Sequence, residues 1–319
     1  LATGSPLASL AALRDYQQRA IFEIRAIIPP MNLPTEKQTL LDTIVRELAG
    51  VRGVKAVVLG GSYARGTARP GSDLDVAMYY DERDPFDIDD IRRAAALIAA
   101  DGAPDVTDFY GWGPWVNGGG WIHTPVCKVD FLYRNLDQVQ RTIDEAWQGI
   151  TRHDFDQQPA FGFYSVIYLA ETRACKPLYD PDGRIARLKE QVAEYPPLLK
   201  ERITAQALWA AEFTLIHADG YAKNGDVYAA AGSLARAAAY LTQVLFALNE
   251  TYFMTDKTAM QEIAAFALRP EGYVERLSEL LACPGRTPEA LAQSTAAMRE
   301  LWSAVVELTG GSYRPMFKL

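Results

Sequence analysis

Asp73 and Asp75 stand two residues apart in Gly71-Ser72-Asp73-Leu74-Asp75, with apolar Leu74 and Val76 alternating between and after them. Period two marks a β-strand, whose alternate side chains leave from one face. The spacing predicts a strand from Asp73 to about Tyr80 that carries two carboxylates on the same side. Such a pair can bridge hard divalent cations, which prefer oxygen and sit roughly 3.5–4 Å apart in two-metal sites. A third acid, Asp130, is alone in the apolar run Val129-Asp130-Phe131-Leu132-Tyr133. A charge there is costly unless it is paired or binds metal. Strand geometry sends it away from Val129 and Phe131; if its strand adjoins that of Asp73 and Asp75, the three acids converge.

Upstream lies Leu59-Gly60-Gly61-Ser62-Tyr63-Ala64-Arg65-Gly66-Thr67. Gly60 and Gly61 let backbone approach an anionic oxygen with no Cβ in the way. Ser62 adds a hydroxyl and an N–H at the expected start of a short helix, where anions bind well. Arg65, about one turn on, is placed equally well for a phosphate or for solvent. The chemistry this set suits is phosphoryl transfer, in which catalysis is mostly positioning and charge neutralisation. The plainer readings are a tight turn between core strands for Gly60–Asp75 and a buried ion pair with Lys128 for Asp130.

This stretch resembles the nucleotidyltransferase superfamily related to DNA polymerase β. That pattern is an apolar residue, Gly, Gly or Ser, a spacer, Asp-apolar-Asp, and a later strand with a third Asp. The resemblance covers about residues 50–135. The remainder resembles bacterial enzymes of the aminoglycoside and lincosamide nucleotidyltransferase kind; Leu178–Gly183 and the Asn249…Lys257 segment look like features of that broader group. It implies an NTP substrate, ATP above others, with two magnesium ions (manganese able to substitute) on Asp73, Asp75 and Asp130. Gly60, Gly61, Ser62 and Arg65 would hold the nucleotide. Asp130 would ligate the metal nearer the acceptor and act as general base. The acceptor would be a small-molecule hydroxyl, with antibiotic modification one such role. Transfer to tRNA or protein, and a non-catalytic antitoxin-like module, are the competing readings.

The elements that must position these residues read as follows. Ser5-Pro6 opens a helix that Pro29-Pro30 stops, and Thr35 with Gln38 has capping-box spacing for a second. Val54–Leu59 is a buried strand, Ile88–Ala100 a helix, and Asp105–Tyr110 and Cys127–Tyr133 two further strands. Gly111–Trp121 is a loop or hairpin, whose Trp112, Trp115 and Trp121 suit either local packing or a stacking platform for a base or sugar. After about residue 136 the strand signal stops, and Phe161–Ala174, Leu198–Ala218, Val227–Asn249 and Pro288–Leu308 have helical spacing. The expected architecture is α+β: a small mixed sheet with helices packed on it over residues 1–135, then an all-α bundle over 136–319. The acceptor is expected in the cleft between them.

Composition narrows the partners. With 32 Lys+Arg against 40 Asp+Glu the formal charge is −8, which repels phosphate backbones at long range and makes nucleic acid the weaker candidate. Cys127, Cys175 and Cys283 are far apart and form no CxxC pair, as expected of reduced thiols in a cytoplasmic protein. The histidines, His123, His153 and His217, make no zinc motif. No apolar run is expected to reach the roughly 20 residues of a membrane span, and no signal peptide is evident. Oligomeric state has no signature.

Overall fold

The computed structural model describes residues 33–317; the helix expected after Ser5-Pro6 lies outside them. In chain order the elements are α1 (Thr35–Ala49), β1 (Ala56–Leu59), α2 (Gly61–Arg65), β2 (Leu74–Tyr80), α3 (Ile88–Ile98), β3 (Asp105–Val106), β4 (Gly119–His123), β5 (Lys128–Asn135) and α4 (Leu136–Trp147). There follow β6 (His153–Asp154), β7 (Phe163–Tyr164), α5 (Val166–Ala174), β8 (Lys176–Tyr179) and α6 (Arg184–Gln191). The last helices are α7 (Pro197–Lys223), α8 (Val227–Leu248), α9 (Asp256–Ala265), α10 (Tyr273–Ala282) and α11 (Pro288–Glu307). The fold is α+β, as the alternating and helical stretches of the sequence predict.

The chain forms two compact units, one made of residues up to Gln140 with Glu171–Gln191, the other of Arg141–Ala170 and everything from Val192 on. The first unit is built on a six-stranded mixed sheet in the order β3-β4-β5-β2-β1-β8. β2 and β5 run parallel; the other neighbours are antiparallel. One face is apolar because alternate residues send their side chains there: Leu74, Val76, Met78 and Tyr80 from β2, and Val129, Phe131 and Tyr133 from β5. They pack with Leu41, Ile44, Val45 and Leu48 of α1 and Ile91, Ala94, Ala95 and Ile98 of α3, which recur at helical spacing. The opposite face carries Asp75, Lys128 and Asp130, each only half-buried.

Several elements differ from expectation for identifiable reasons. α1 begins with Pro34 as N-cap and no side-chain cap; Gln38 instead donates to Asp42 one turn on. The strand expected over Asp105–Tyr110 stops at Val106, because the chain then turns around buried Asn117. That side chain accepts from Tyr110 N and donates to the Tyr80 hydroxyl. The Gly-rich stretch expected as a loop or hairpin ends in a strand, β4. The strand signal does not stop at residue 136 either: β8 adds to the sheet edge beside β1, and β6 pairs with β7 where helix was expected from Phe161.

The second unit is helical apart from that β6–β7 pair. α7 packs along α8, and α11 against both. Asp226 and Thr287 cap α8 and α11 by accepting from Ala229 N and Ala290 N, the local signal that starts helices at these positions. α8 is long and apolar enough, by length and composition alone, to cross a membrane, against the expectation that no such run exists; 67% of its most apolar window is buried within the protein. Its buried side chains, Leu234, Leu241, Leu245 and Phe246 among them, are those of a core helix.

Candidate active site

The site is assembled on the more open face of the sheet. Asp75 of β2 and Asp130 of β5 are direct partners across the parallel pair, so their side chains leave the same face as nearest neighbours. Asp73 lies one residue before β2. The strand β4 extends the same rung, since Trp121 pairs with Asp130, and Asp105 of β3 pairs with Trp121. At the other end Gly60 donates its N–H to Asp75 O at 2.8 Å. Five residues from five chain segments thus form one row: Gly60, Asp75, Asp130, Trp121, Asp105.

The glycine loop is shaped around Asp75. Gly61 takes φ +58°, and a Cβ there would land on the Asp75 carboxylate. Two requirements, left-handed backbone and close approach, therefore both demand glycine. α2 begins at Gly61 and carries Ser62 and Arg65, with left-handed Gly66 as its C-cap. Lys37, buried on α1, ties down the approach to Asp73: its ammonium donates to Ser72 O at 2.6 Å and to the Tyr63 hydroxyl at 2.8 Å.

Electrostatics identify the crowded point. Burial, then the charges of Asp130 and Asp73, raise the Asp75 carboxyl from 3.8 to about 6. Lys128 answers part of this negative charge. Its Nζ lies 2.9 Å from Asp130 Oδ1 and 3.4 Å from Asp73 Oδ2. Burial opposes its charge, but the hydrogen bonds and charges of Asp130 and Asp73 outweigh it and hold the ammonium above the usual lysine range. Asp130 Oδ1, though buried and close to that cation, takes no aligned hydrogen bond.

These observations decide how far the residues suit a metal. Carboxylate oxygens from three acids are the donor chemistry magnesium or manganese prefers, and the raised Asp75 carboxyl marks an excess of negative charge at this point. As placed, no three His, Cys, Asp or Glu groups among the described residues stand close enough to hold an ion. The Lys128 ammonium occupies the position between Asp73 and Asp130 and stands in for a cation there. The donor chemistry suits a divalent ion, but the carboxylates as placed do not form a site for one, and Lys128 holds the space between Asp73 and Asp130.

The structure brings together Asp73, Asp75, Asp130, Gly60 and Gly61, and sets Ser62 and Arg65 on the short helix that follows. Lys128, expected from sequence as an ion-pair partner of Asp130, stands two residues before it on the same strand face and also reaches Asp73. Trp121, at the end of the expected loop or hairpin, lies in β4. Trp121 is 56% exposed, and its ring stacks on that of Trp112 at 5.0 Å and 21°. Trp112 fits there because Gly119 has no Cβ, which would meet both the Trp112 ring and Phe131 O. Glu171 forms a two-point ion pair with buried Arg134, both contacts at 2.8 Å.

Residues 40–108 match the family model described as nucleotidyltransferase domain, a span that includes β1, the glycine loop, Asp73 and Asp75 and ends before Asp130. Residues 165–257 match a domain of unknown function (DUF4037). No curated protein matches the chain. Among solved structures it is similar to a nucleotidyltransferase-like protein from Exiguobacterium sibiricum 255-15, with 8% identity over 88% of this chain and 78% of that one and a TM-score of 0.44. The match identifies a nucleotidyltransferase domain over residues 40–108, within the first unit, and supports nucleotidyltransferase activity for the enzyme. The DUF4037 match attaches no activity to the segment it covers.

Proposed function

We propose that the enzyme transfers a nucleoside monophosphate from an NTP, ATP first among them, to a hydroxyl of a small molecule and releases pyrophosphate. The observation that carries this is the register of Asp75 opposite Asp130 with the Gly60–Gly61 backbone folded against Asp75. In this reading Gly61 and Ser62 seat the β- and γ-phosphates, and Arg65 adds charge to them. Asp73, Asp75 and Asp130 would hold two magnesium ions. When bound, such ions neutralise charge on the phosphates and on the departing pyrophosphate. Asp130, next in the row after Asp75, accepts the proton of the acceptor hydroxyl. An in-line attack has its leaving oxygen opposite the nucleophile; the glycine loop at one end of the row therefore sets the acceptor toward Asp130. The stacked Trp121 beside Asp130 offers a flat surface to a substrate ring.

An acceptor of the aminoglycoside or lincosamide kind, and a role in resistance, rest on the sequence resemblance. The three thiols, unpaired in the structure, suit the cytoplasm. The test is release of pyrophosphate from ATP, GTP, CTP or UTP with magnesium, run against hydroxyl-bearing small molecules, RNA and protein in parallel. Release driven only by RNA or protein overturns the small-molecule reading, and no transfer with any class overturns the proposal.

A further inference from the structure

The second unit holds a cavity of about 670 Å³, within the usual range for small-molecule sites of about 300–1,000 Å³. Its walls are mostly apolar and aromatic: Ile203 and Trp209 of α7, Tyr240 of α8, and Tyr164 of β7. His153 stacks on Tyr164 with ring centroids 4.1 Å apart. The tail from Tyr313 to Met316 supplies another wall. It is fastened by fully buried Glu212, which accepts from the Tyr313 hydroxyl at 2.5 Å and from Phe317 N at 2.7 Å.

One wall residue does not belong to a core. Gln243 of α8 lies between buried Leu241, Thr242, Val244 and Leu245, is itself 6% exposed, and lines the cavity. Among the described residues its carboxamide makes no hydrogen bond, whereas buried Glu212 and Thr295 of the same unit are bonded; the buried Thr204 and Tyr273 hydroxyls also lack a partner, but neither lines the cavity. The carboxamide borders the cavity space, a polar group set in a largely apolar wall where a leucine would fit as well. A carboxamide presents a donor and an acceptor side by side in one plane, the complement of another amide or lactam edge. Three residues earlier, on the same helix face, Tyr240 accepts from Arg236 at 3.0 Å, which leaves its own proton to donate.

The charges select further. No carboxylate lines this cavity or its neighbour, which shares His153, Tyr164 and Tyr240, whereas Arg152, Arg236 and Arg314 do. Arg152 is spent in a two-point pair with Glu145 and Asp256 is held by the Ala160 and Phe161 backbone, so Arg236 and Arg314 are the lining charges left to a ligand, and they favour a neutral or anionic one over a cation. We propose that the second unit binds a flat, neutral or anionic aromatic molecule bearing an amide or lactam edge, recognised by Gln243 and Tyr240 between aromatic walls. The site is lined wholly by this unit, so it does not rest on the transfer reading.

The experiment titrates the full chain with benzamide and with its apolar isostere isopropylbenzene, followed by calorimetry or ligand-observed NMR. The wild type should bind benzamide at least about tenfold tighter than the isostere, as expected for a buried polar group left unpaired by the wrong ligand. Gln243→Leu should abolish that preference while retaining the isostere, with an unchanged or higher melting temperature, since an unpartnered amide leaves the apolar wall. Tyr240→Phe should weaken benzamide severalfold. Equal binding of the two probes by the wild type, binding of neither, or an unchanged ratio in Gln243→Leu overturns the proposal. So does a lowered melting temperature in Gln243→Leu, which would make the carboxamide a structural partner.

Discussion

Asp75 faces Asp130 directly across the parallel β2–β5 pair, and Lys128, two residues before Asp130, reaches back to hold both Asp130 and Asp73. Like charges are thus forced together by strand register, and one lysine partly neutralises them. Most consequences below follow from that arrangement.

The first concerns stability against pH. Asp75 titrates near 3.8 when unfolded and at about 6 when folded, raised by burial and its acidic neighbours. Below the lower value both states hold the proton and nothing is lost. As pH rises to about 6, the unfolded chain sheds the proton first, so folding is progressively disfavoured. Asp75→Asn has no such cost. Without metal it should exceed the wild type by up to about 3 kcal/mol at pH 8, an advantage that shrinks toward nothing by about pH 4. Urea melts in chelator across that range measure it; an advantage that does not change with pH refutes the assignment.

Lys128 supplies the second prediction. If its ammonium stands where a divalent ion would sit, the two compete. Its side chain is 33% exposed, so the pair is worth little, on the order of 1 kcal/mol or less. Lys128→Met should therefore bind manganese about two- to fivefold more tightly in the absence of nucleotide, as read by calorimetry. Weaker binding in the variant would show that Lys128 helps the cation site rather than filling it.

Gly61 gives the third. The sequence alone suggests that a side chain there would block phosphate and leave the protein otherwise intact. The structure adds that a Cβ falls on the Asp75 carboxylate and that the backbone is left-handed. Gly61→Ala should then lose nucleotide binding and cost about 1 kcal/mol or more of stability as well. Gly66→Ala is the control: it has similar backbone strain, φ +73°, with nothing near the added methyl, and should lose stability while keeping nucleotide binding. Equal nucleotide affinity in the two variants would sink the close-approach argument.

What could be read in the sequence depended on local pattern. Val54–Leu59, Asp73–Tyr80 and Cys127–Tyr133 were legible as strands because apolar residues run together or alternate. The long Ala- and Leu-rich helices declared themselves by spacing. β8 was not legible: Lys176-Pro177-Leu178-Tyr179 contains a proline, tolerated because it lies in an edge strand. β4 was hidden by Gly119-Gly120, which read as loop, although glycine is needed there to admit Trp112 and Phe131 O. Lys128 shares the Asp130 face by its two-residue spacing, but only the register of β5 against β2 shows that it also reaches Asp73. The sequence offered Trp121 as a stacking platform or as local packing; its pairing with Asp130 is what sets it beside the acids.

Trp121 carries the last prediction. A tryptophan that is 56% exposed contributes little to the core, so Trp121→Ala should change stability by no more than about 0.5 kcal/mol. If its ring instead stacks on a substrate ring, the loss falls on binding, where aromatic stacking on a base is worth about 1–3 kcal/mol by alanine substitution. The KM for one substrate, nucleotide or acceptor, should rise by about 5- to 150-fold at nearly constant kcat, and Trp121→Phe should recover much of it. Comparing ATP with inorganic triphosphate by calorimetry then identifies the ring. If the nucleobase stacks, the variant loses the advantage of ATP over triphosphate and binds triphosphate normally; if the acceptor ring stacks, both bind as before and only the acceptor KM moves. Unchanged KM values for both substrates, with a marked fall in melting temperature, would make the Trp112–Trp121 stack a structural feature of the β4 edge.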